Sequence, residues 1–223
     1  MSDRLSVRWT LVPRDCPRPV FACPTCGGDR PFHQSGKVRV NANGKRLDAW
    51  LIYKCDDCDR TWNRPIFERR LAADIPPVEL AALRSGDPAF IRRLAFDLAA
   101  LRRKTPTIIQ SDDVTVEKAV IGGTTASVGI DIMLALPYPV GLRLDRLLAV
   151  ELGLARSRII ALADAGRLVV RDGGNALKRP PRDGQTARLD LDGIGDGRAI
   201  IDAAGRPANL AADTTPRIAS DDP

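Results

Sequence analysis

Histidine is nearly absent from this 223-residue chain: His33 is the only one. A Ser–His–Asp hydrolase or a histidine-ligated catalytic metal has almost no raw material here. Aromatics are scarce, at 4% of the residues, and there are two methionines. Long apolar runs are missing as well. The longest candidate, Ile130–Leu136, contains Asp131 and falls far short of the ~18 residues of a membrane span. Residues 1–10 show no apolar segment of the secretory kind, so the expected location is cytoplasmic, with no membrane partner. With 44% hydrophobic and 28% charged residues, wholesale disorder is excluded.

What is present is unevenly spread. The formal net charge is +6 and the isoelectric point about 9.4, which suggests a polyanionic partner. Residues 1–70 carry 14 basic and 8 acidic groups, and residues 139–191 carry 10 and 6. The stretches 105–138 and 192–223 each hold three more acids than bases. Two basic modules thus flank an acidic spacer, and an acidic end follows. If four thiolates bind a divalent metal, the first module's excess shrinks while the second's stands.

The five cysteines are Cys16, Cys23, Cys26, Cys55 and Cys58. Four form two Cys-x-x-Cys pairs with 28 residues between them. Each pair turns two sulfurs toward one point, and two such turns build the closed tetrahedral four-sulfur shell that structural Zn²⁺ prefers. Disulfides are disfavoured by the odd count, and a redox pair needs only one such motif. Iron shares the geometry as a minor rival. Four thiolates leave no open position, so the metal is expected to be structural. Cys16 reads as a spare thiol and His33 as a packing or surface residue.

Between the pairs, Val38 and Val40 alternate with Lys37, Arg39 and Asn41, which is strand periodicity. Asn43-Gly44 signals a hairpin turn, Trp50–Lys54 the return strand, and Thr61–Phe67 a further strand. The expectation is a zinc ribbon over 1–70, in which metal supplements a core too small to hold alone. Seven of the ten aromatics lie there, and core packing is favoured for them over base stacking. Lys37, Arg39, Lys45 and Arg46 are possible phosphate contacts, or a solvated edge that blocks strand pairing.

The stretch R-V-N-A-N-G-K-R-L-D-A-W-L-I-Y-K-C, with C-P-T-C before it and T-W-N after C-D-D-C, resembles an uncharacterised bacterial family, domain of unknown function 1062. The likeness is closest over the first 70 residues and extends to most of the chain. It implies no activity.

Residues 71–138 read as a helical linker and a β segment. Pro77–Leu83 makes a short helix, and Asp87 caps a second one, opened by Pro88, that runs to about Arg103. Val114–Val120 and Ser127–Leu136 read as strands. Gly122-Gly123-Thr124-Thr125 between them lacks the Gly-Lys-Ser/Thr of a phosphate loop.

From Leu142 the pattern is helix to Leu152, Gly153, helix Ala155–Ala165, Gly166, strand Arg167–Arg171, a loop opened by a turn at Gly173-Gly174, and strand Thr186–Leu191. R-L-D at Arg143–Asp145, S-R at Ser157–Arg158, A-G-R-L-V-V at 165–170 and D-G-Q-T-A-R-L-D-L at 183–191 occur in that order. Residues 139–191 resemble, on these motifs, the RNA-binding domain named after small-subunit ribosomal protein four. The resemblance implies an α-α-β module whose helix pair presents Arg143, Arg146, Arg156, Ser157 and Arg158 to structured RNA. Arg167, Arg171, Lys178 and Arg179 would join from the sheet and loop. Asp172-Gly173-Gly174 and Pro180-Pro181 depart from that family's pattern at the loop. The alternative is a solvated face, with Asp145, Glu151 and Asp164 available as partners.

The expected fold is therefore α+β: a zinc ribbon, a helical linker, the RNA-binding-like module and an acidic, partly disordered 192–223 segment. The expected function is non-enzymatic binding of structured RNA, ribosomal or transfer, or of a ribosomal particle. The rival is a protein-interaction scaffold or transcription-linked regulator docking a partner through the ribbon. No small-molecule substrate is indicated.

Overall fold

The computed structural model describes residues 4–124, 126–171 and 175–206. It is a mixed α/β structure with two five-stranded sheets and six α-helices among those residues.

The described residues open with a strand, β1 (Arg4–Pro13), in which Leu5, Val7, Trp9 and Leu11 all face one core. That strict alternation lays one face of the strand on a core and leaves its two edges to be paired. Their partners are β7 (Val114–Gly122), antiparallel, and β8 (Gly129–Ala135), parallel. On the far side of β8 lie β10 (Thr186–Asp190) and β9 (Leu168–Val170), both paired antiparallel. The first sheet thus runs β7-β1-β8-β10-β9. Helices α4 (Leu144–Glu151), α5 (Arg156–Asp164) and α6 (Gly197–Gly205) contribute to its core with Leu144, Leu147, Leu148, Ile159, Ile200 and Ile201.

Two expectations are corrected here. The strand over residues 4–13 does not belong to the cysteine-bearing unit, although the ribbon was expected to span 1–70. Trp9 sits in the C-terminal core, where its indole Nε1 donates to the carbonyl of Ala204 at 2.9 Å. The 192–223 segment is not simply an acidic tail. Ile200, Ile201 and Ala204 of α6 are buried in the first core. The remainder, 207–223, lies outside the described residues, as does the expected turn at 172–174.

The second sheet contains β2 (Arg18–Cys23), β3 (Gly28–Asn43), β4 (Arg46–Cys55), β5 (Thr61–Leu71) and the short β6 (Ile108–Ile109), in the order β5-β4-β3-β2-β6. Asn43 pairs with Arg46 across the expected hairpin turn, and the register slips once, between Gln34 and Val38. Leu47, Ala49, Leu51 and Tyr53 alternate inward on β4. Helices α1 (Pro77–Ser85), α2 (Pro88–Ala95) and α3 (Leu98–Arg102) supply Leu83, Phe90, Ile91 and Leu101 to that side.

The single helix expected from Pro88 to Arg103 is two. Asp97 interrupts it by accepting from the Ala100 amide and capping α3. The guanidinium of Arg64, 4% exposed, reaches in and takes the carbonyl of Leu94 at 2.9 Å. A carbonyl spent on a side chain and a capping carboxylate together end one helix and start the next.

Gly123 explains the glycine pair between β7 and β8. Its φ is +77°, and a Cβ there would lie 2.1 Å from the Arg4 carbonyl oxygen. Close approach of backbone to β1 requires glycine, with no phosphate loop needed. No helix among the described residues is long and apolar enough to cross a membrane.

Candidate metal centre and cationic surfaces

The four paired cysteines come from two turns at the same end of the second sheet. Cys23 ends β2 and Cys55 ends β4, so the two strands that flank β3 deliver both turns to one place. In the first turn Gly27 takes φ +70° and its amide donates to the Cys23 carbonyl at 2.9 Å. In the second, Asp59 takes φ +58° and donates to the Cys55 carbonyl at 3.1 Å. The two loops are built alike, each closing with a left-handed residue directly after its second cysteine.

The sulfurs converge. Cys23 Sγ lies 3.5 Å from Cys58 Sγ, and Cys26 Sγ lies 3.9 Å from Cys55 Sγ. All four ligand atoms lie within 4.8 Å of one another. A tetrahedron with metal–sulfur bonds of about 2.3 Å has edges of roughly 3.8 Å. A disulfide would need about 2.05 Å. The cluster therefore fits a metal ion at its centre.

Acid–base character agrees with a shared site. Burial works against a Cys23 thiolate, but amides of Cys26 and Thr25 and the neighbouring thiols outweigh it and bring the thiol down to about 7. The Cys26 thiol is pushed up to about 12, first by its hydrogen bond with Cys58 and then by burial. Burial also raises Cys55. Without a cation, one thiolate forms readily and its charge resists the next. A divalent ion removes that conflict.

Cys16 stands outside the cluster, half-buried, its thiol raised mainly by burial. His33 is not a ligand either: its Nδ1 lies 2.8 Å from an Asp56 carboxylate oxygen. The aromatics divide between roles. Phe21, Phe32, Tyr53 and Trp62 pack together beside the thiols, with Phe21 and Trp62 centroids 4.4 Å apart. Trp50 and Phe67 are half-buried beneath the guanidinium groups of Arg39 and Arg70. Lys37, Arg39, Lys45 and Arg46 are exposed, and none pairs with a carboxylate among the described residues.

The second basic module is wired differently. Asp145, on the first turn of α4, is fully buried yet charged. Arg143 and Arg156 each bond its carboxylate at 2.8 Å, from the start of α4 and the start of α5. Burial alone would raise this carboxyl, but the hydrogen bonds and charges of the two arginines outweigh it and hold it below its ordinary value. Their side chains remain 40% and 52% exposed.

Other arginines of the module also find carboxylates, several from beyond it. Arg146 pairs with Asp112 at 2.7 Å, Arg158 with Asp196 at 2.6 Å, and Arg167 with Asp190 at 3.8 Å. Glu151 instead meets Lys118. Ser157, Arg171, Lys178 and Arg179 are exposed. The helix pair thus brings Arg143, Arg156 and Asp145 into one cluster, while Arg146 and Arg158 are held apart on separate partners. Asp112 and Asp196 were missed because their contacts are tertiary, and nothing local in the sequence marks them.

Residues 40–173 match the model of a protein family described as a protein of unknown function, DUF1062. The match begins inside β3, after the first cysteine pair, and ends shortly after β9. No curated protein and no solved structure matches the chain. With more than half its length carried by that family model, the chain belongs to the DUF1062 family.

Proposed function

We propose that this is a non-enzymatic, zinc-stapled protein that binds structured RNA through the α4–α5 pair. Zn²⁺ is the metal that a closed four-thiolate shell suits best, and it serves there to hold two loops and three strands together. No position is left on it for substrate.

The observation that carries the RNA reading is the buried Asp145 with Arg143 and Arg156 fixed on it. One carboxylate neutralises half of the pair's charge and sets both guanidiniums in place. Arg156 uses only its Nε on Asp145, so both of its Nη groups remain for a ligand. Fixed, planar donors suit phosphate oxygens and give up little freedom on binding. Such a surface follows the shape of a folded RNA backbone.

The test is the double variant Arg143→Gln/Arg156→Gln in a titration with structured RNA at several salt concentrations. The expected result is weaker binding to every such RNA, with a log–log salt slope smaller by about 1–2. An unchanged slope and affinity would remove the helix pair from the interface. A second surface is supported by the unpaired cations of the hairpin. Lys37→Gln/Lys45→Gln is expected to weaken binding further if that face reaches the same RNA, and a protein-docking role for the hairpin predicts no change.

A further inference from the structure

A cavity of about 490 Å³ opens where the end of β1 meets the metal-bearing end of the second sheet. Its walls include Arg14, Cys16, Arg18, His33, Gln34 and Arg92. Junctions between structural units are where small ligands bind most often.

The polar groups there are mismatched in one direction. Gln34 fixes its Oε1 on the amide of Gly36 at 2.7 Å, so its orientation is set. Its Nε2 is then a buried donor with no partner, the only such side-chain atom among the described residues. Buried donors are rarely left unmatched without reason.

Arg92 adds to the excess. Its guanidinium donates to the carbonyls of Pro13 and Arg14 and lies over the Phe96 and Tyr138 rings, at 5.1 and 5.5 Å. No carboxylate among the described residues pairs with it. Two acids line the same space. Asp56 is already engaged by Arg18 at 2.9 Å and by His33 at 2.8 Å. Asp15 is exposed beside the opening. Arg14 pairs with Asp113 at the surface.

We propose that this cavity is a phosphate-binding site. Three guanidiniums and an orphaned amide offer donors, and a phosphate group offers several strong acceptor oxygens in return. The phosphate has two chemical sources, a phosphorylated small molecule or the backbone of a polynucleotide. The site stands on residues separate from the α4–α5 pair, so it does not depend on the RNA reading above.

Cys16 lines the cavity and reports on it. The experiment follows alkylation of Cys16 by iodoacetamide in the full-length, metal-loaded protein, mapped by mass spectrometry, with inorganic phosphate or chloride at matched ionic strength. Phosphate is expected to slow labelling several-fold and saturably. Gln34→Met and, independently, Arg18→Gln are expected to raise the half-protecting concentration about tenfold. Protection by phosphate no greater than by chloride overturns the proposal, as does unchanged protection in both folded variants. Where phosphate protects, a short RNA that also protects and is displaced by phosphate assigns the source to a polynucleotide. Phosphate protection that RNA cannot reproduce assigns it to a small molecule. Either supports the site.

Discussion

Asp145→Asn separates charge from geometry. The substitution keeps the size of the buried side chain, removes one negative charge and so raises the net charge by one. If arginine charge alone governs binding, RNA affinity should rise. If the carboxylate's role is to hold Arg143 and Arg156 in place, affinity should fall, because both side chains regain their freedom. The stability cost follows from the contacts. Asp145 accepts from Arg143 at 3.2 and 2.8 Å and from Arg156 at 2.8 Å. Removing one partner of a buried pair typically costs about 3–5 kcal/mol. Here the two arginines are half exposed and rehydrate, which brings the expectation to about 2 kcal/mol. With an m-value of about 2 kcal/mol/M, the urea midpoint should drop by roughly 1 M.

The pH dependence has a definite sign. The folded carboxyl is held below its ordinary value, so its contribution is fully present above about pH 4 and is lost as pH falls through the lowered folded pKa. The variant should lack that part of the acid limb. Urea melts at pH 7 and across the acid range, with RNA titrations on the same samples, measure all three. Equal or tighter RNA binding by a folded Asp145→Asn protein would refute the positioning argument.

Other expectations are more local. Chelation should release one metal ion per chain and unfold the β2–β5 sheet first, seen as loss of amide protection there before the first sheet; simultaneous loss in both would show that the units are not separable. Cobalt substitution should give the absorption of a tetrahedral thiolate site, and an octahedral spectrum would contradict the four-sulfur shell. Trp9→Phe leaves the Ala204 carbonyl without its donor and a gap in the first core, at a cost of about 1–3 kcal/mol by thermal melt. Asp87→Ala removes the cap on Phe90 N of α2 and should cost about 1 kcal/mol; no change would mean that packing alone fixes that helix start.

Local signals carried most of what the sequence revealed. The two Cys-x-x-Cys turns, Asn43-Gly44, the Asp87-Pro88 helix start and the glycines after α4 and α5 act over a few residues, and each appears where expected. What escaped was long-range. β1 pairs in parallel with β8 more than a hundred residues away, and its alternating apolar face names no partner by itself. α6 is only nine residues long, and the acidic composition of the surrounding segment masked a packed helix. The arginines were legible as a group, but their separate fates were set by Asp112, Asp190 and Asp196, which only the fold brings near. The break at Phe96–Asp97 depended on Arg64 arriving from β5.

On the proposed reading, a metal-held protein grips RNA by charge arranged in place. The most direct measurement is the affinity of the metal-loaded chain for a structured RNA across a salt series, beside a duplex DNA of the same length. The expected binding weakens linearly in log–log terms and is released by about 0.5 M salt, with RNA preferred. A zinc-loaded protein that binds neither nucleic acid at low salt would contradict that reading.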